Sequence, residues 1–206
     1  MEQKIKGFIC DVGGVLQLGN PSFEHPNVHN FIAKKLGINL DQYFDSIDTA
    51  YASSIEGKIS EKEAIKTMSR NLKITPRKLT KLYLTAYKKY FVLNKKFLQF
   101  VSSLRKKGYK IAILSDQWLL SKKALVIPVF YKIFNTVVVS CDVGLRKPNL
   151  KVYMLTLKRL KLNPKEVIFI DNQKWNITPA REIGMKTVLF KNTKQAIRDV
   201  NKILVK

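Results

Sequence analysis

Four polar residues occupy similar places in the sequence, each at the end of a short apolar run or in the loop that follows one. They are Asp11, Ser115, Lys147 and Asp171. Because the carboxyl ends of parallel strands meet at one edge of an α/β sheet, we expect the four side chains to lie together there. Each alone has a structural interpretation, Ser115 and Asp171 as helix caps and Lys147 as a solvated charge. Their joint placement favours a functional site.

The four side chains are suited to the chemistry of a phosphoryl group. A carboxylate such as Asp11 can attack phosphorus and carry the group as an aspartyl phosphate. Asp11 and Asp171 offer the oxygen ligands that a hard divalent cation requires. The hydroxyl of Ser115 and the ammonium of Lys147 can hold the other phosphoryl oxygens, since phosphoryl transfer depends mainly on positioning and charge stabilisation.

The apolar pattern outside the middle of the chain predicts alternating strands and helices. A first buried strand ends at Asp11, and further strands are predicted over residues 109–114, 136–139, 166–170 and 186–190. Helical patterns separate these strands, which indicates crossover units and a parallel sheet. The sequence therefore predicts an α/β fold whose core is a three-layer, Rossmann-like unit formed by residues 1–17 and 95–206.

Residues 18–94 carry a helical pattern and predict an all-helical insert, without strands, after the first strand. Apolar side chains recur there at a period of about 3.6. Ser60 with Glu63 forms a capping box. Thr75 followed by Pro76 places a cap residue before a proline at the first helical position.

The net charge of +23, from 38 Lys and Arg against 15 Asp and Glu, attracts anions of many kinds. The lysines are scattered along the chain, without a basic tail or an arginine-rich arm. A solvated lysine-rich surface is therefore favoured over nucleic-acid binding, which stays open. The apolar runs are too short to span a bilayer, and the N-terminus has no apolar segment suited to a secretory signal, so we expect a cytoplasmic protein without a membrane partner.

The cysteines and tryptophans are predicted to have structural roles. Cys10 and Cys141 fall in or just after strand-like runs and are expected to be buried, reduced thiols. Trp118 and Trp175 closely follow two of the candidate site residues. For both rings we favour packing over stacking on a substrate.

The order of these motifs resembles that of the haloacid dehalogenase-like hydrolase superfamily. The matching segments are FICDVGGVL, IAILSD, GLRKPNLKVY and VIFIDNQKWNITPAREIGM, which cover the sheet domain. The helical insert is similar to that family's α-helical cap. The segment EGKIS with Glu63 resembles the subgroup that includes sugar-phosphate phosphatases and the N-terminal phosphatase domain of soluble epoxide hydrolases.

The resemblance implies catalytic and substrate-binding roles. Asp11 would be the nucleophile, and Ser115 and Lys147 would clamp the phosphate of a small phosphorylated substrate. Gly14 and Asp116 would lie beside that substrate.

The resemblance also implies a Mg²⁺ cofactor. Asp11, Asp171 and the main-chain carbonyl of Gly13 would hold the ion, with Asn172 acting through a water. Two departures from the family's pattern matter. Gly13 stands where phosphatases of that family usually carry a second aspartate, which transfers protons. The absence of that aspartate would lower the rate roughly 10²–10⁴-fold. Asn172 replaces the second of two consecutive acids, which removes a negative charge from the metal site.

Three residues are candidates for the missing proton transfer. Asp116 is a carboxylate near the site, although its side chain is expected to point away from Ser115. His25 and His29 are the two histidines of the chain. For them, substrate contact or proton transfer is favoured over a metal pair, because Pro26 makes a helical turn there uncertain and no third ligand is near.

The sequence predicts a magnesium-dependent hydrolase of a small phosphate monoester, acting through an aspartyl phosphate and slowed by Gly13. Two alternatives stay open. Gly13 and Asn172 motivate a non-catalytic pseudophosphatase that binds a partner. The net charge motivates a phosphatase that acts on nucleic-acid ends. The pattern leaves the substrate and the oligomeric state open.

Overall fold

A computed structural model describes residues 4–22 and 27–205 of the chain. Its strands are β1 (Gly7–Cys10), β2 (Gln17–Gly19), β3 (Phe91–Leu93), β4 (Lys110–Ser115), β5 (Thr136–Val139), β6 (Val167–Asp171) and β7 (Lys186–Leu189). The helices are α1 (Val28–Leu36), α2 (Leu40–Ile55), α3 (Glu61–Asn71), α4 (Pro76–Tyr90), α5 (Lys95–Lys106), α6 (Leu119–Leu125), α7 (Pro128–Ile133), α8 (Ser140–Val143), α9 (Leu150–Leu160), α10 (Lys174–Glu182) and α11 (Thr193–Leu204). Within the described ranges, no helix is both long and apolar enough to cross a membrane.

Five strands form one parallel sheet in the order β5-β4-β1-β6-β7, which confirms the predicted α/β fold. Strand β1 is central, and all four of its residues are buried, as expected of a parallel strand covered on both faces. Cys10 pairs with Ile113 of β4 on one side and with Ile170 of β6 on the other. This register brings the carboxyl ends of the three strands to one edge of the sheet.

Side chains of the central strands alternate between two buried clusters, one on each face of the sheet. In β1, Phe8 and Cys10 belong to the larger cluster and Ile9 belongs to the smaller one. The larger cluster continues into α5, α11 and the helices between β2 and β3, whereas the smaller one is completed by α9 and α10. Helices on both faces of the sheet give the three layers that the sequence predicts.

The helical insert consists of α1 to α4 and is bounded by a short ribbon. Gln17 of β2 pairs antiparallel with Leu93 of β3, so the expectation that residues 18–94 contain no strand is wrong. The two strands have only three residues each, which is too short for alternation to be visible in sequence. The division into a core and a separate cap at these residues stays a prediction.

One smaller expectation fails near β5. Cys141 lies in the short helix α8, where the chain has left the sheet, and is half-buried instead of buried. Cys10 is buried in β1 as expected, and both thiols are free.

Asn94, buried at the end of the ribbon, joins the insert to the core. Its Nδ2 donates to the carbonyl of Val15 and to Oγ1 of Thr193, both at 2.9 Å. Its Oδ1 accepts from the backbone N–H of Phe97 at 3.2 Å and so caps α5. The carboxamide thus satisfies partners in three separate segments.

We expect Asn94→Ala to lower the free energy of unfolding by about 1–3 kcal/mol, because it leaves buried polar groups without partners. Urea denaturation followed by circular dichroism measures the change. Asn201→Ala, at an exposed position of α11, is the matched control and should change stability by less than about 0.5 kcal/mol. An equal effect of both substitutions would contradict the role given to Asn94.

Candidate active site

Lys147 lies between two carboxylates at the carboxyl edge of the sheet. Its Nζ is 3.0 Å from Oδ1 of Asp11 and 2.7 Å from Oδ2 of Asp171. All three residues are buried. Asp11 directly follows β1 and Asp171 ends the neighbouring β6, so the strand register alone places the carboxylates side by side. The structure therefore brings together three of the four residues that the sequence analysis put first.

Burial and charge act in opposite directions on this group. Burial raises the pKa of Asp11 to about 6, although the positive charge of Lys147 opposes the rise. Burial alone would lower the pKa of Lys147, but the charges of Asp11 and Asp171 outweigh it and raise that pKa. At neutral pH the site thus holds a charged ammonium and an ionised Asp11, which is the form that can act as a nucleophile.

Hydrogen bonds fix the orientation of the Asp171 carboxylate. Nδ2 of Asn176 donates to its two oxygens at 3.2 and 3.1 Å. The backbone N–H of Gln173 donates to Oδ1 at 2.8 Å. With Lys147 on Oδ2, the carboxylate is held from both sides, as a metal ligand needs to be. Asn176, placed by α10, was noted in the sequence only as part of a motif.

The turn after β1 brings Gly14 against Asn172. Gly14 has φ +77°, and a Cβ on it would lie 2.3 Å from Nδ2 of Asn172. A side chain at this position would be strained by the backbone conformation and would displace the carboxamide of Asn172. Gly13 differs, because its φ lies outside the left-handed region and a Cβ would meet nothing within 4 Å.

The side chains present fit a hard divalent cation. Oδ1 of Asn172 is buried and has no hydrogen-bond partner among the described residues. This orphaned amide oxygen belongs to the residue directly after Asp171, and it is the kind of donor that magnesium or a water bound to it would satisfy. In residues 4–22 and 27–205 no group of three His, Cys, Asp or Glu side chains could hold a metal. Amide and main-chain oxygens, such as the Gly13 carbonyl, would have to complete the shell.

Ser115 ends β4, beside β1, and is fully buried. Its Oγ accepts a hydrogen bond from Nε2 of Gln117 at 2.9 Å. The backbone N–H of Gln117 in turn donates to Oγ of Ser140 at 3.0 Å. Within the described residues no hydrogen bond joins Ser115 to the lysine and the two carboxylates. Gln117 was missed by the sequence analysis, since nothing in its neighbours marks it as a partner of the serine.

Asp116 supports the loop that carries the active-site lysine. Its Oδ1 accepts a hydrogen bond from the backbone N–H of Lys147 at 3.1 Å. Burial raises the pKa of Asp116, against the charge of Lys147. This contact gives Asp116 a positioning role, and its predicted contact with substrate stays a prediction.

The two histidines do not form a pair that the structure can describe. His25 lies outside the described residues. His29 is half-buried among aromatic rings of the insert, with Nδ1 3.2 Å from the hydroxyl of Tyr43. Burial lowers the pKa of His29. Its surroundings favour a packing role within the insert.

The two tryptophans have different environments. Trp118 is fully buried, and its Nε1 donates to the hydroxyl of Tyr87 at 2.8 Å, which confirms packing. Trp175 is 63% exposed, so the expectation that it packs is wrong. It lies in the first turn of α10 and is not among the buried residues of that helix, which are Asn176, Ile177 and Ala180. The ring of Trp118 links α4 of the insert to the loop after Ser115.

Comparisons with known proteins identify the family of the chain. A model described as "haloacid dehalogenase-like hydrolase" matches residues 5–184. Bifunctional epoxide hydrolase 2 of Rattus norvegicus is 34% identical over 116 residues, which are 54% of this chain and 21% of that protein. Glyceraldehyde 3-phosphate phosphatase of Methanocaldococcus jannaschii is 28% identical over 176 residues, covering 82% of this chain and 68% of that protein. The chain thus matches only about a fifth of the length of the epoxide hydrolase.

Two solved structures share the fold. A predicted HAD-like family hydrolase from Porphyromonas gingivalis superposes with a TM-score of 0.78 at 21% identity, over 99% of this chain and 100% of that one. The HAD family enzyme bt-2542 from Bacteroides thetaiotaomicron, in complex with magnesium and inorganic phosphate, gives a TM-score of 0.73 at 21% identity, over 91% and 94%. At these identities the likeness establishes the fold alone.

Proposed function

The chain belongs to the haloacid dehalogenase-like hydrolase family, and from that premise we propose that it is a magnesium-dependent phosphatase acting on small phosphate monoesters. The observation that carries the proposal is the buried group in which the Lys147 ammonium lies within 3.0 Å of Asp11 and 2.7 Å of Asp171. A lysine held between two carboxylates at a strand edge is suited to receive a phosphoryl dianion. The similarity to a glyceraldehyde 3-phosphate phosphatase supports this choice of reaction.

Asp11 supplies the nucleophile in the proposed reaction. The backbone N–H of Val12 and the Nζ of Lys147 both contact its Oδ1. Oδ2 is therefore the oxygen that the described residues leave open for attack on phosphorus. Its attack forms a new P–O bond and breaks the bond to the ester oxygen, which leaves as an alcohol after taking a proton. Water then attacks the aspartyl phosphate, releasing phosphate and restoring the carboxylate.

The remaining residues hold charge and position. Lys147 neutralises charge on the transferred group throughout, and Asp116 fixes the backbone of that lysine. Ser115, oriented by Gln117, would offer its hydroxyl proton to a phosphoryl oxygen. Asp11, Asp171, Asn172 and the Gly13 carbonyl would hold Mg²⁺, which when bound offsets the negative charge shared by carboxylate and phosphate.

Gly13 leaves the proposed site without the usual general acid. No acidic side chain stands two residues after the nucleophile, so the leaving oxygen must take its proton from another source, such as solvent. A missing general acid costs roughly 10²–10⁴-fold in rate. Gly13 also supports the second candidate, a phosphate-binding protein without turnover.

A panel of phosphate monoesters, assayed for phosphate release with and without magnesium, tests the proposal. We expect at least one small ester to be hydrolysed, activity to be lost on addition of a chelator, and activity to return with added Mg²⁺. Phosphate binding without hydrolysis of any ester would favour the second candidate. Turnover that persists in the chelator would contradict the metal requirement.

A further inference from the structure

Arg146 lies two residues after Gly144, where the insert contacts the core. It directly precedes Lys147, so the two Cα atoms are about 3.8 Å apart. The backbone on both sides is fixed, since the Arg146 carbonyl accepts from the N–H of Asn149 at 3.1 Å and the N–H of Lys147 donates to Asp116. In contrast to Lys147, Arg146 is exposed.

The insert packs closely over the segment that leads to Arg146. A Cβ on Gly57 would lie 2.6 Å from the carbonyl oxygen of Cys141, and one on Gly144 would lie 3.6 Å from that of Glu56. Helix α2 ends at this contact, with Glu56 as its cap residue. The Glu56–Gly57 turn and residues 141–146 therefore form a seam between the insert and the core.

The other charges of this seam are already paired. Nζ of Lys58 is 2.5 Å from Oε2 of Glu56, and Nζ of Lys122 is 2.6 Å from Oδ1 of Asp142. Among the described residues, no carboxylate lies within ion-pair distance of Arg146. Among the described residues of the seam, the Arg146 guanidinium is therefore a cation without an ion-pair partner, and it can bind an anionic ligand.

The field of Arg146 reaches groups on both sides of the seam. Burial raises the pKa of Tyr51 in the insert and of Asp116 in the core, and the charge of Arg146 opposes both rises. Its charge also helps to lower the pKa of Glu56, after the larger effect of Lys58. Because Arg146 directly precedes Lys147 and lies two residues after the contact of Gly144 with Glu56, its exposed side chain starts at the junction of insert and core.

We propose that Arg146 binds a second anionic group of the substrate and so selects phosphate monoesters that carry a carboxylate or another phosphate. This inference rests on the proposed function and names its substrate class. A substrate whose phosphoryl group contacts Lys147 and whose remainder extends along the seam meets the guanidinium next. The planar fork of arginine suits either anion, because it donates two parallel hydrogen bonds to paired oxygens.

Matched esters test the selection. 3-Phosphoglycerate differs from glycerol 3-phosphate in having a carboxylate in place of a hydroxymethyl group. We expect the wild-type enzyme to prefer it by roughly 10–100-fold in kcat/KM, the effect of one charge-assisted contact. The ratio of kcat/KM for propane-1,3-diol bisphosphate to that for propane-1,3-diol monophosphate measures the preference for a second phosphate. The two pairs of esters together show whether the site prefers a carboxylate or a phosphate.

Arg146→Gln should remove the preference and leave kcat for glycerol 3-phosphate unchanged, and Arg146→Lys should keep part of it. Arg159→Gln is the matched control, since it removes the same charge from an exposed position of α9. A wild type without preference in either pair would overturn the inference, as would a preference that survives Arg146→Gln or that Arg159→Gln lowers equally.

Binding separates this inference from the proposed function. If no ester is hydrolysed, isothermal titration calorimetry with wild-type protein and magnesium measures the Kd of each ester. The ratio of the two Kd values within each pair then gives the preference for a second anion. Tighter binding of 3-phosphoglycerate or of the bisphosphate that Arg146→Gln abolishes would support the second-anion site while the phosphatase proposal fails. Equal Kd values within both pairs would overturn the site.

Discussion

Replacing Asp11 with asparagine is expected to lower kcat by roughly 10⁴–10⁶-fold, the loss seen when a covalent nucleophile is removed from an otherwise intact site. Asparagine has nearly the same shape as aspartate, and its amide oxygen can still accept from the backbone N–H of Val12. Its amide cannot form the acyl phosphate. The effect should therefore fall on turnover, measured as phosphate release from the best ester of the panel.

Asp199→Asn provides the matched control for this substitution. Asp199 lies in the second half of α11 and is partly exposed, and its carboxylate accepts hydrogen bonds from Gln195 and Arg198. The control variant should retain full activity, and both variants should keep the far-ultraviolet circular dichroism of the wild type. Turnover by folded Asp11→Asn at a rate near that of the wild type would exclude the aspartyl phosphate.

The approach of Asp11 to Asp171 could be predicted because it follows from local pattern and one topological rule. Each carboxylate ends an apolar run, and parallel strands place such ends at one edge. The sequence could not show that Lys147 would lie within 3.0 Å of both, since its loop is positioned by Asp116 and by packing. The residue could be named in advance, whereas its geometry required the fold.

The β2–β3 ribbon shows what periodicity misses. Gln17 pairs with Leu93, 76 positions later, through main-chain hydrogen bonds that leave no trace in side-chain pattern. Three residues are also fewer than a full alternation requires. The helical pattern predicted an insert that ends near residue 94, but it gave no sign of the ribbon formed by residues 17–19 and 91–93.

Asn172 and Gln117 illustrate a second limit. The family resemblance implied that Asn172 acts at the metal site through a water, yet only the structure shows its buried, unpartnered oxygen and its close approach to Gly14. Gln117 gave no signal, because its bond to Ser115 depends on how the chain turns after β4. Contacts between neighbouring loops depend on turn geometry, which sequence pattern constrains weakly.

Gly13→Asp is expected to raise kcat by roughly 10²–10⁴-fold by restoring a general acid beside the leaving group. The structure has room for the change. A Cβ at Gly13 would meet no atom within 4 Å, and the φ of Gly13 lies outside the left-handed region, so a side chain can start there without a clash or backbone strain. Gly14 offers no such room, because a side chain there would collide with Asn172. The measurement is kcat for a monoester with a poor, alkyl leaving group, which depends most on protonation.

Gly13→Asn separates proton transfer from the filling of space. It adds a side chain of the same size and polarity without an ionisable proton, so it should leave kcat near the wild-type value. The gain of the aspartate should also shrink for an aryl ester, whose leaving oxygen needs little protonation in the transition state. A fall in rate in both variants would show that the loop tolerates no side chain. An equal rise in both would assign the gain to packing, and either result would contradict the missing acid as the cause of slow turnover.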